Sequence, residues 1–453
     1  MSNPPVDPAR LTAYRVLRDL TADGAYTNLS LANRLREARL TARDAAYATE
    51  LVSGTARSLG TLDAVIARAA GRPLKTLQPA VMDVLRLGAY QCLCMRVPPH
   101  AAVATAVDLA ADQIGRRVAG LVNAILRRVA ANSWDGWLDA LTEGVPEVDA
   151  LALRTCHPRW IVDAFAAVLP GDELEAALSA DNEPAHPTLA ARPGILERDD
   201  LAVESGGVPT RYSPWGVAVD GDPGAIAAIR DGRAGVQDEG SQLVILAASR
   251  AIADTVSGGW LDLCAGPGGK SALLRGLIPA AGTEAFLVAN EVQPHRARLV
   301  AEALRAYPSG GHQVIVSDGL KPAWRPGSFS FVLADVPCTG LGSLRRRPDS
   351  RWRRAPDDVG PLCGRQVRLL TAAVEALRPG AMAAYVTCSP HRDETAGVVF
   401  AVADATGATI IDAPAFLPDV PGCAAGTDAR FVQLWPHRHG TDAMFLALLH
   451  KAR

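Results

Sequence analysis

Apolar positions along the first 131 residues recur with the spacing of an amphipathic helix. Ala13, Val16, Leu17 and Leu20 lie three or four residues apart, as they would on one face of a helix. No strand pattern interrupts residues 7–131. The pattern therefore predicts an all-α bundle.

Capping residues predict where several of these helices begin and end. Asp7 before Pro8 is typical of a helix start, because aspartate caps the first turn and proline fits its first position. Thr41, three residues before Asp44, predicts a second start. Gly60 and Gly71 are expected at helix C-termini, where glycine readily adopts the left-handed conformation.

The hydrophobic pattern changes after residue 131. Residues 132–160 are expected to be irregular, and residues 160–255 to form a small α+β segment. From Trp260 onward, helical stretches alternate with short apolar runs at 260–264, 285–290, 313–318, 329–337 and 381–389. This alternation predicts a doubly wound parallel sheet, with the last apolar run, 443–451, as an added edge strand.

These shifts predict three domains. An all-α domain is expected over 1–135, a small α+β linker segment over 136–235, and an α/β Rossmann-like domain over 236–453. Ligands of such sheets bind beyond the carboxyl ends of the strands. The functional residues are therefore expected where the strands end.

Composition excludes several classes of protein. No uncharged apolar run approaches the ~18 residues of a membrane span, and the N-terminus lacks the basic-then-apolar order of a signal peptide. Eight cysteines among 453 residues do not make a disulfide scaffold, and the nine histidines form no cluster with them. We therefore expect a cytoplasmic protein with no metal site and no membrane partner.

Charge is distributed unevenly along the chain. Residues 1–135 hold 17 Lys and Arg against 11 Asp and Glu, a net charge of +6, whereas the remainder has a net charge of −8. A basic N-terminal third is typical of a module that binds a polyanion.

A glycine-rich turn follows the first strand of the α/β region. It consists of Cys264, Ala265, Gly266, Pro267, Gly268, Gly269 and Lys270. Glycines let the backbone turn sharply and approach a ligand closely. The spacing fits neither a Walker phosphate loop nor the G-x-G-x-x-G motif. A bound ligand and a plain strand-to-helix connection both remain compatible with it.

Acidic residues end the next two strands. Glu291 stands at the second strand tip, where a carboxylate commonly accepts from both hydroxyls of a ribose. Asp318 stands at the tip of the third strand, where it could accept from the exocyclic amine of adenine. With the glycine turn they predict an adenosine-containing cofactor, and the absence of a pyrophosphate loop from the sequence favours S-adenosylmethionine over NAD.

Two cysteines, Cys338 and Cys388, stand at the tips of the fourth and fifth strands. Carbon 5 of a pyrimidine is a poor nucleophile, but a thiolate that adds to carbon 6 makes carbon 5 enamine-like and able to attack a methyl sulfonium. A base must then remove the carbon-5 proton before the thiolate leaves. Asp335 could hydrogen-bond the base edge and assist the addition. These residues alone do not decide which cysteine attacks.

The segments DLCAGPGGKS, DVPCTG with RRRPDSRW, and TCS resemble motifs of the Sun/Fmu-type RNA (cytosine-5) methyltransferases. The stretch from Val97 to Arg127 is similar to the NusB-like RNA-binding domain that precedes the core of the 16S rRNA enzymes in this group. The resemblance implies S-adenosylmethionine-dependent methylation of carbon 5 of a cytosine. It implies 16S rRNA as the partner, naked or in a partly assembled subunit.

The resemblance also implies roles for the residues. Cys388 becomes the nucleophile, Cys338 aids release of the covalent adduct, and residues 264–270, Glu291, Asp318 and Asp335 line the cofactor site. This chain departs from the family pattern at two of these positions. Gly266 stands where alanine is frequent, which is expected only to widen backbone freedom. Glu291 stands where aspartate is frequent and is expected to hold the same diol.

An arginine cluster surrounds Trp352 after the fourth strand. It consists of Arg345, Arg346, Arg347, Arg351, Arg353 and Arg354. Its position after a catalytic strand favours contact with RNA phosphates over a solvated loop. Trp352 is expected either to stack on a base or to pack against the protein.

Two alternative functions stay open. The same chemistry could act on tRNA or on another rRNA site. The chain could also be a non-catalytic RNA-binding or antitermination factor with a decayed methyltransferase fold. Decay is expected to erode Gly268, Gly269, Asp335 or Cys388 first, and all four are present.

Overall fold

The computed structural model describes residues 6–252, 258–280 and 286–452. The chain divides into two compact units, Met1–Asp163 with Leu344–Arg354, and Ala164–Ser343 with Ala355–Arg453. All strands of the described residues belong to the second unit. The predicted fold class, an α/β core after an all-helical region, is confirmed.

The first unit is a helical bundle with one apolar core, to which Leu17, Leu51, Val65, Leu85 and Leu126 contribute. Its helices are α1 (Pro8–Asp23), α2 (Thr27–Ala38), α3 (Ala42–Arg57), α4 (Leu59–Ala70), α5 (Pro79–Cys94), α6 (Pro99–Gln113), α7 (Arg116–Val129), α8 (Trp134–Thr142) and α9 (Glu147–Arg154).

Two of the predicted helix starts and one predicted helix end are confirmed. The side chains of Asp7 and Thr41 each accept from the backbone N–H of the residue three positions later in the chain. This satisfies donors that the first helical turn leaves unpaired. Gly71 ends α4 at φ 63°. The expectation for Gly60 is wrong, because this residue lies inside α4. A Cβ at Gly60 would overlap the indole of Trp352, so the glycine makes room for a side chain far along the sequence.

The expectation of irregular structure over 132–160 is also wrong, since α8 and α9 occupy most of it. Ser133 caps α8 by accepting from the Gly136 N–H at 3.1 Å. Trp137 donates its indole N–H to the Val129 carbonyl at 2.8 Å, which ties α8 to the end of α7. Trp134 and Trp137 both pack against the apolar core of the bundle.

The second unit begins with a small antiparallel sheet of order β2-β3-β1-β4, which confirms a small α+β segment. Its apolar core includes Leu189, Leu201 and Val217. Its elements, together with the helix that leads into it, are α10 (Arg159–Ala166), α11 (Gly171–Ala180), β1 (Thr188–Ala191), α12 (Arg198–Ser205), β2 (Val208–Pro209), β3 (Gly216–Ala218), α13 (Ala227–Arg230) and β4 (Ala234–Val236).

The larger sheet follows, with strand order β10-β12-β9-β8-β5-β6-β7 and β11 paired to β12. Neighbours from β9 to β7 run parallel, and β12 is antiparallel to β9. The remaining elements are α14 (Glu239–Ala251), β5 (Gly259–Asp262), α15 (Gly269–Ala280), β6 (Leu287–Asn290), α16 (Pro294–Leu304), β7 (His312–Ile315), β8 (Phe329–Asp335), α17 (Ser350–Arg353, in the first unit), α18 (Val359–Ala376), β9 (Leu377–Thr387), α19 (Ala396–Thr406), β10 (Thr409–Ile411), β11 (Val432–Gln433), α20 (Pro436–His439) and β12 (Phe445–His450).

The five predicted parallel strands coincide with β5 to β9, although the second predicted run begins at Ala285, which lies outside the described residues. The prediction of an edge position for the last strand is wrong. β12 lies between β9 and β10, and Phe445 to Leu449 are all buried. A strand without a polar face is typical of a sheet interior, because a solvated edge favours polar and charged side chains.

None of the described helices has the length and apolarity to cross a membrane. The described residues also contain no group of three or more His, Cys, Asp and Glu arranged to hold a metal ion.

Candidate active site

The predicted site residues gather at the carboxyl ends of the parallel strands. The turn 264–270 joins β5 to α15, Glu291 follows β6, and Asp335 ends β8. Cys388 follows β9 directly. Because β8, β5 and β6 are neighbours in a parallel sheet, these ends lie along one edge.

The glycine turn is built around close packing. The backbone of Ala265 donates to the Asn290 carbonyl at 2.8 Å, which joins the turn to the end of β6. Gly268 has φ 108°, and a Cβ there would lie 2.7 Å from the Ala303 Cβ on α16. A side chain at Gly268 would therefore be both strained and obstructed.

Glu291 is buried and faces the glycine turn. One carboxylate oxygen accepts from the Gly266 N–H at 3.1 Å, and the other accepts from the Gln293 N–H at 3.0 Å. Arg296 lies 3.7 Å from the same carboxylate and donates to the Gly266 carbonyl at 2.5 Å.

The two departures from the family pattern therefore meet in space. A Cβ at Gly266 would overlap the Glu291 carboxylate. The expectation that Gly266 only widens backbone freedom is thus incomplete, because the glycine also makes room for the longer acid.

Lys270 and Asp335 form an ion pair, with Nζ 2.9 Å from Oδ2. Burial opposes the charge of the ammonium, but the Asp335 carboxylate, together with smaller contributions from Cys388 and Asp262, raises the pKa of Lys270. The sequence singled out both residues but did not pair them. The ammonium is therefore within electrostatic range of one of the two candidate cysteines.

Cys338 and Cys388 are brought into contact, with their sulfur atoms 3.4 Å apart. The hydrogen bond to Cys388 raises the pKa of Cys338 well above its usual value, and burial and the Glu394 carboxylate act in the same direction. The structure thus places two thiols in one site, with a cation near Cys388 and an acid near Cys338.

The carboxylate of Asp318 accepts from the Leu320 N–H of its own loop at 3.0 Å. It is half-buried two residues beyond Val316, at the same edge of the sheet. Two nearby groups, Ser317 Oγ and Asn290 Oδ1, are buried and have no hydrogen-bond partner among the described residues.

Sequence reasoning missed two buried acids in this site. Asp262 ends β5 and accepts from Ser271 Oγ at 2.6 Å, and burial raises the pKa of Asp262 to about 7. Glu394 is fully buried in the turn before α19 and accepts from groups beside both cysteines. Asp262 could have been noticed as an acid at a strand tip, whereas Glu394 stands among exposed charges in the sequence.

The arginine cluster belongs to the helical unit. Arg351 is fully buried and donates to the Cys156 carbonyl at 3.0 Å, so the expectation that it contacts RNA is wrong for this conformation. Arg353 lies 4.2 Å from the Tyr26 ring centroid and donates to the Ala25 carbonyl. Trp352 donates its indole N–H to the Arg57 carbonyl at 3.1 Å, in keeping with packing.

The other four arginines differ in exposure. Arg347 is exposed, whereas Arg345, Arg346 and Arg354 are partly buried. Their contact with RNA stays a prediction, and Arg347 offers the most accessible guanidinium among these four.

Comparisons with known proteins cover nearly the whole chain. A family model described as 16S rRNA methyltransferase RsmB/F matches residues 251–450, and one described as the NusB family matches residues 7–131. A Mycobacterium tuberculosis (strain CDC 1551 / Oshkosh) protein named as a methyltransferase is 47% identical, over 99% of this chain and 97% of its own length. The ribosomal RNA small subunit methyltransferase B of Pseudomonas putida is 32% identical, over 89% of this chain and 91% of its own length.

Two solved structures share the fold. The crystal structure of PH0851 superposes with a TM-score of 0.79 at 20% identity and covers 99% of this chain and all of that one. The crystal structure of NSun6 from Pyrococcus horikoshii with SFG has a TM-score of 0.55 at 16% identity and covers 65% of this chain and 98% of that one.

Proposed function

Because this chain belongs to the RsmB/F family of 16S rRNA methyltransferases, we propose that it methylates carbon 5 of a cytosine in small-subunit ribosomal RNA. As a member of this family it is an RNA methyltransferase. The base, the carbon atom, the covalent route through Cys388 and the 16S target are the proposal.

The contact between the two thiols is the observation that carries the proposal. Pyrimidine methylation at carbon 5 needs a thiol that forms a bond with carbon 6 and later leaves it. In the proposed route a second thiol assists this release, and the two sulfurs lie 3.4 Å apart. The charges around the pair differ. The Lys270 ammonium interacts electrostatically with Cys388, while the Glu394 carboxylate contributes to the raised pKa of Cys338. This asymmetry supports Cys388 as the nucleophile.

The residues present fit S-adenosylmethionine. The turn 264–270, Glu291 and Asp318 would hold it, and the unpaired buried acceptors Asn290 Oδ1 and Ser317 Oγ are polar groups that suit an adenosine. When bound, this cofactor supplies the methyl group as an electrophilic sulfonium.

The side chains of this chain account for the remaining chemistry. Cys388 Sγ forms a bond to carbon 6, which places an electron pair on carbon 5 for the new carbon–carbon bond. Asp335, held by Lys270, hydrogen-bonds the base edge and supports the addition. After a base takes the carbon-5 proton, the Cys388–carbon-6 bond breaks and the ring is restored. Cys338 assists this release.

The first experiment measures methyl transfer from radiolabelled S-adenosylmethionine to unmodified 16S, 23S and tRNA, with nucleoside analysis of the product. We expect label in 16S rRNA only, as 5-methylcytosine. Label in tRNA or 23S rRNA would contradict the target, and a different methylated nucleoside would contradict the mechanism.

Cysteine variants test the covalent route. Cys388→Ala is expected to abolish transfer while calorimetry shows cofactor affinity within about twofold of the original, because the proposed role of this sulfur is to react with the base and not to hold the cofactor. Cys338→Ala is expected to accumulate an enzyme–RNA complex that survives denaturation. Cys363→Ala, a partly buried cysteine outside the pair, is the matched control. Turnover by Cys388→Ala would refute the assignment of the nucleophile.

A further inference from the structure

Glu394 is a buried carboxylate that accepts hydrogen bonds from three separate elements. One oxygen accepts from the Thr339 N–H at 2.8 Å and from Gln366 Nε2, on α18, at 2.9 Å. The other accepts from Ser389 Oγ at 2.6 Å and from the Thr339 hydroxyl. We call Thr339, Gln366, Ser389 and Glu394 the Glu394 network.

The donors of the Glu394 network flank both cysteines. Thr339 directly follows Cys338, and Ser389 directly follows Cys388. Gln366 also donates to the carbonyl of Pro337, at 3.0 Å, so the backbone on both sides of Cys338 is tied to the network. The two cysteine loops lie at the ends of different strands, β8 and β9. The Glu394 carboxylate accepts from both loops, and the Thr339 and Ser389 hydroxyls also lie 3.1 Å apart.

We propose that Glu394 is a positioning residue that sets the separation and orientation of the Cys338 and Cys388 thiols. The proposal rests on the proposed function, since it is there that the two thiols have their roles. A carboxylate buried away from water is costly unless it is well hydrogen-bonded. The donors in this network meet that requirement, and they all come from the segments that carry or support the reacting groups.

Glu394 acts on the thiols in two ways that have opposite consequences. Its hydrogen bonds hold the cysteine loops together, whereas its charge contributes to the raised pKa of Cys338. Loss of the hydrogen bonds should therefore make reaction between the two thiols slower. Loss of the charge alone should make it faster, because more of Cys338 would be thiolate.

Oxidation by diamide separates these effects without any RNA. Each thiol loses one hydrogen atom, the azo bond of diamide takes up both hydrogens and becomes a hydrazine, and a Cys338–Cys388 disulfide forms. Its rate is followed by mass spectrometry of the linked peptides. We expect Glu394→Gln to slow it about tenfold, since a small misplacement of reacting groups has an effect of this size or larger.

Glu394→Asp keeps the charge but shortens the side chain, so it should slow the disulfide as well. Asp393→Asn removes a charge from the exposed neighbouring position and is the matched control, expected to react at the original rate. A faster rate in Glu394→Gln with an unchanged rate in Glu394→Asp would show an effect of charge only and would overturn the proposal.

Methyl-transfer kinetics supply the second measurement. We expect Glu394→Gln to lower kcat by about tenfold or more, with KM for the RNA and cofactor affinity within about twofold. A general loss of folding would lower the thermal midpoint and the active fraction but leave the kcat per folded enzyme unchanged, which would contradict a positioning role. Slower disulfide formation in an enzyme that proves not to methylate cytosine would sustain the geometric inference and refute only the proposed function.

Discussion

The contact between Gly266 and Glu291 leads to a double-mutant prediction. Gly266→Ala adds a methyl group at a point that the Glu291 carboxylate already occupies, and this methyl would also lie 2.8 Å from Arg296 Nε. The carboxylate has little freedom to move aside, because it is only 4% exposed and accepts from the Gln293 N–H as well. Glu291→Asp shortens the acid by one methylene and vacates that point.

The expected magnitudes follow from these contacts. Gly266→Ala loses a hydrogen bond to a charged acceptor, about 1.5–3 kcal/mol, and overpacks a buried site, about 1–3 kcal/mol. The smaller entropy of the unfolded alanine chain offsets about 0.4–1 kcal/mol. We expect a net loss of about 2–4 kcal/mol for Gly266→Ala. The double variant Gly266→Ala with Glu291→Asp should lose about 1–3 kcal/mol less unfolding free energy than the two single variants lose in sum.

Urea unfolding of the original protein, the two single variants and the double variant measures this coupling. Calorimetry of cofactor binding reports on the same site. Gly397→Ala, on the exposed side of α19, is the matched glycine control and should combine additively with Glu291→Asp. Additivity of Gly266→Ala and Glu291→Asp within about 0.5 kcal/mol would refute the steric reasoning.

Three further predictions concern charged groups inside the protein, and a fourth concerns an exposed arginine. Lys270→Met removes the partner of Asp335 and the cation near Cys388. We expect kcat/KM to fall about 10²–10³-fold, as for the loss of one preorganised electrostatic group in an active site, with part of the loss recovered at alkaline pH. Lys321→Met, an exposed change, is the control. Burial raises the pKa of Asp262 from its ordinary value of 3.8 to about 7 in the folded protein, so the stability that comes from its protonation is fully present below pH 4 and is lost as pH rises to 7. Asp262→Asn should therefore gain in thermal midpoint relative to the original protein across this interval, and a constant difference would contradict the assignment. Arg351→Met should destabilise the helical unit by about 2–4 kcal/mol in thermal unfolding, because the Cys156 carbonyl loses its donor. Arg347→Ala, at an exposed position, should leave stability unchanged and reduce the slope of log K for RNA against log salt by about one.

Some of the local predictions failed for one shared reason. The neighbours of Gly60 in sequence predict a helix end, and those of Arg351 predict an RNA contact. In the structure both residues belong to packing within the helical unit, where Gly60 lies against Trp352 and Arg351 fills the interior. A residue type indicates what a side chain can do, but its burial depends on segments that the local pattern does not include.

The sequence by itself determined the fold class and named the candidate reacting groups. Helical periods, caps and strand tips are local features, because they depend on residues three or four positions apart or on the end of a single strand. For that reason Cys338, Cys388, Asp335 and the glycine turn could be named in advance. The order of the strands along the sheet could not be predicted from such local features, and neither could the interior position of β12.

Only the tertiary structure decided which of these groups meet. The 3.4 Å contact of the two thiols, the Lys270–Asp335 pair and the overlap of Gly266 with Glu291 each join residues from different strand ends. Glu394 shows the limit most clearly, since nothing near it in sequence distinguishes it from the exposed Asp393. Its role arises because α18 and the loops after β8 and β9 enclose it, and a buried carboxylate is stable only where such donors converge.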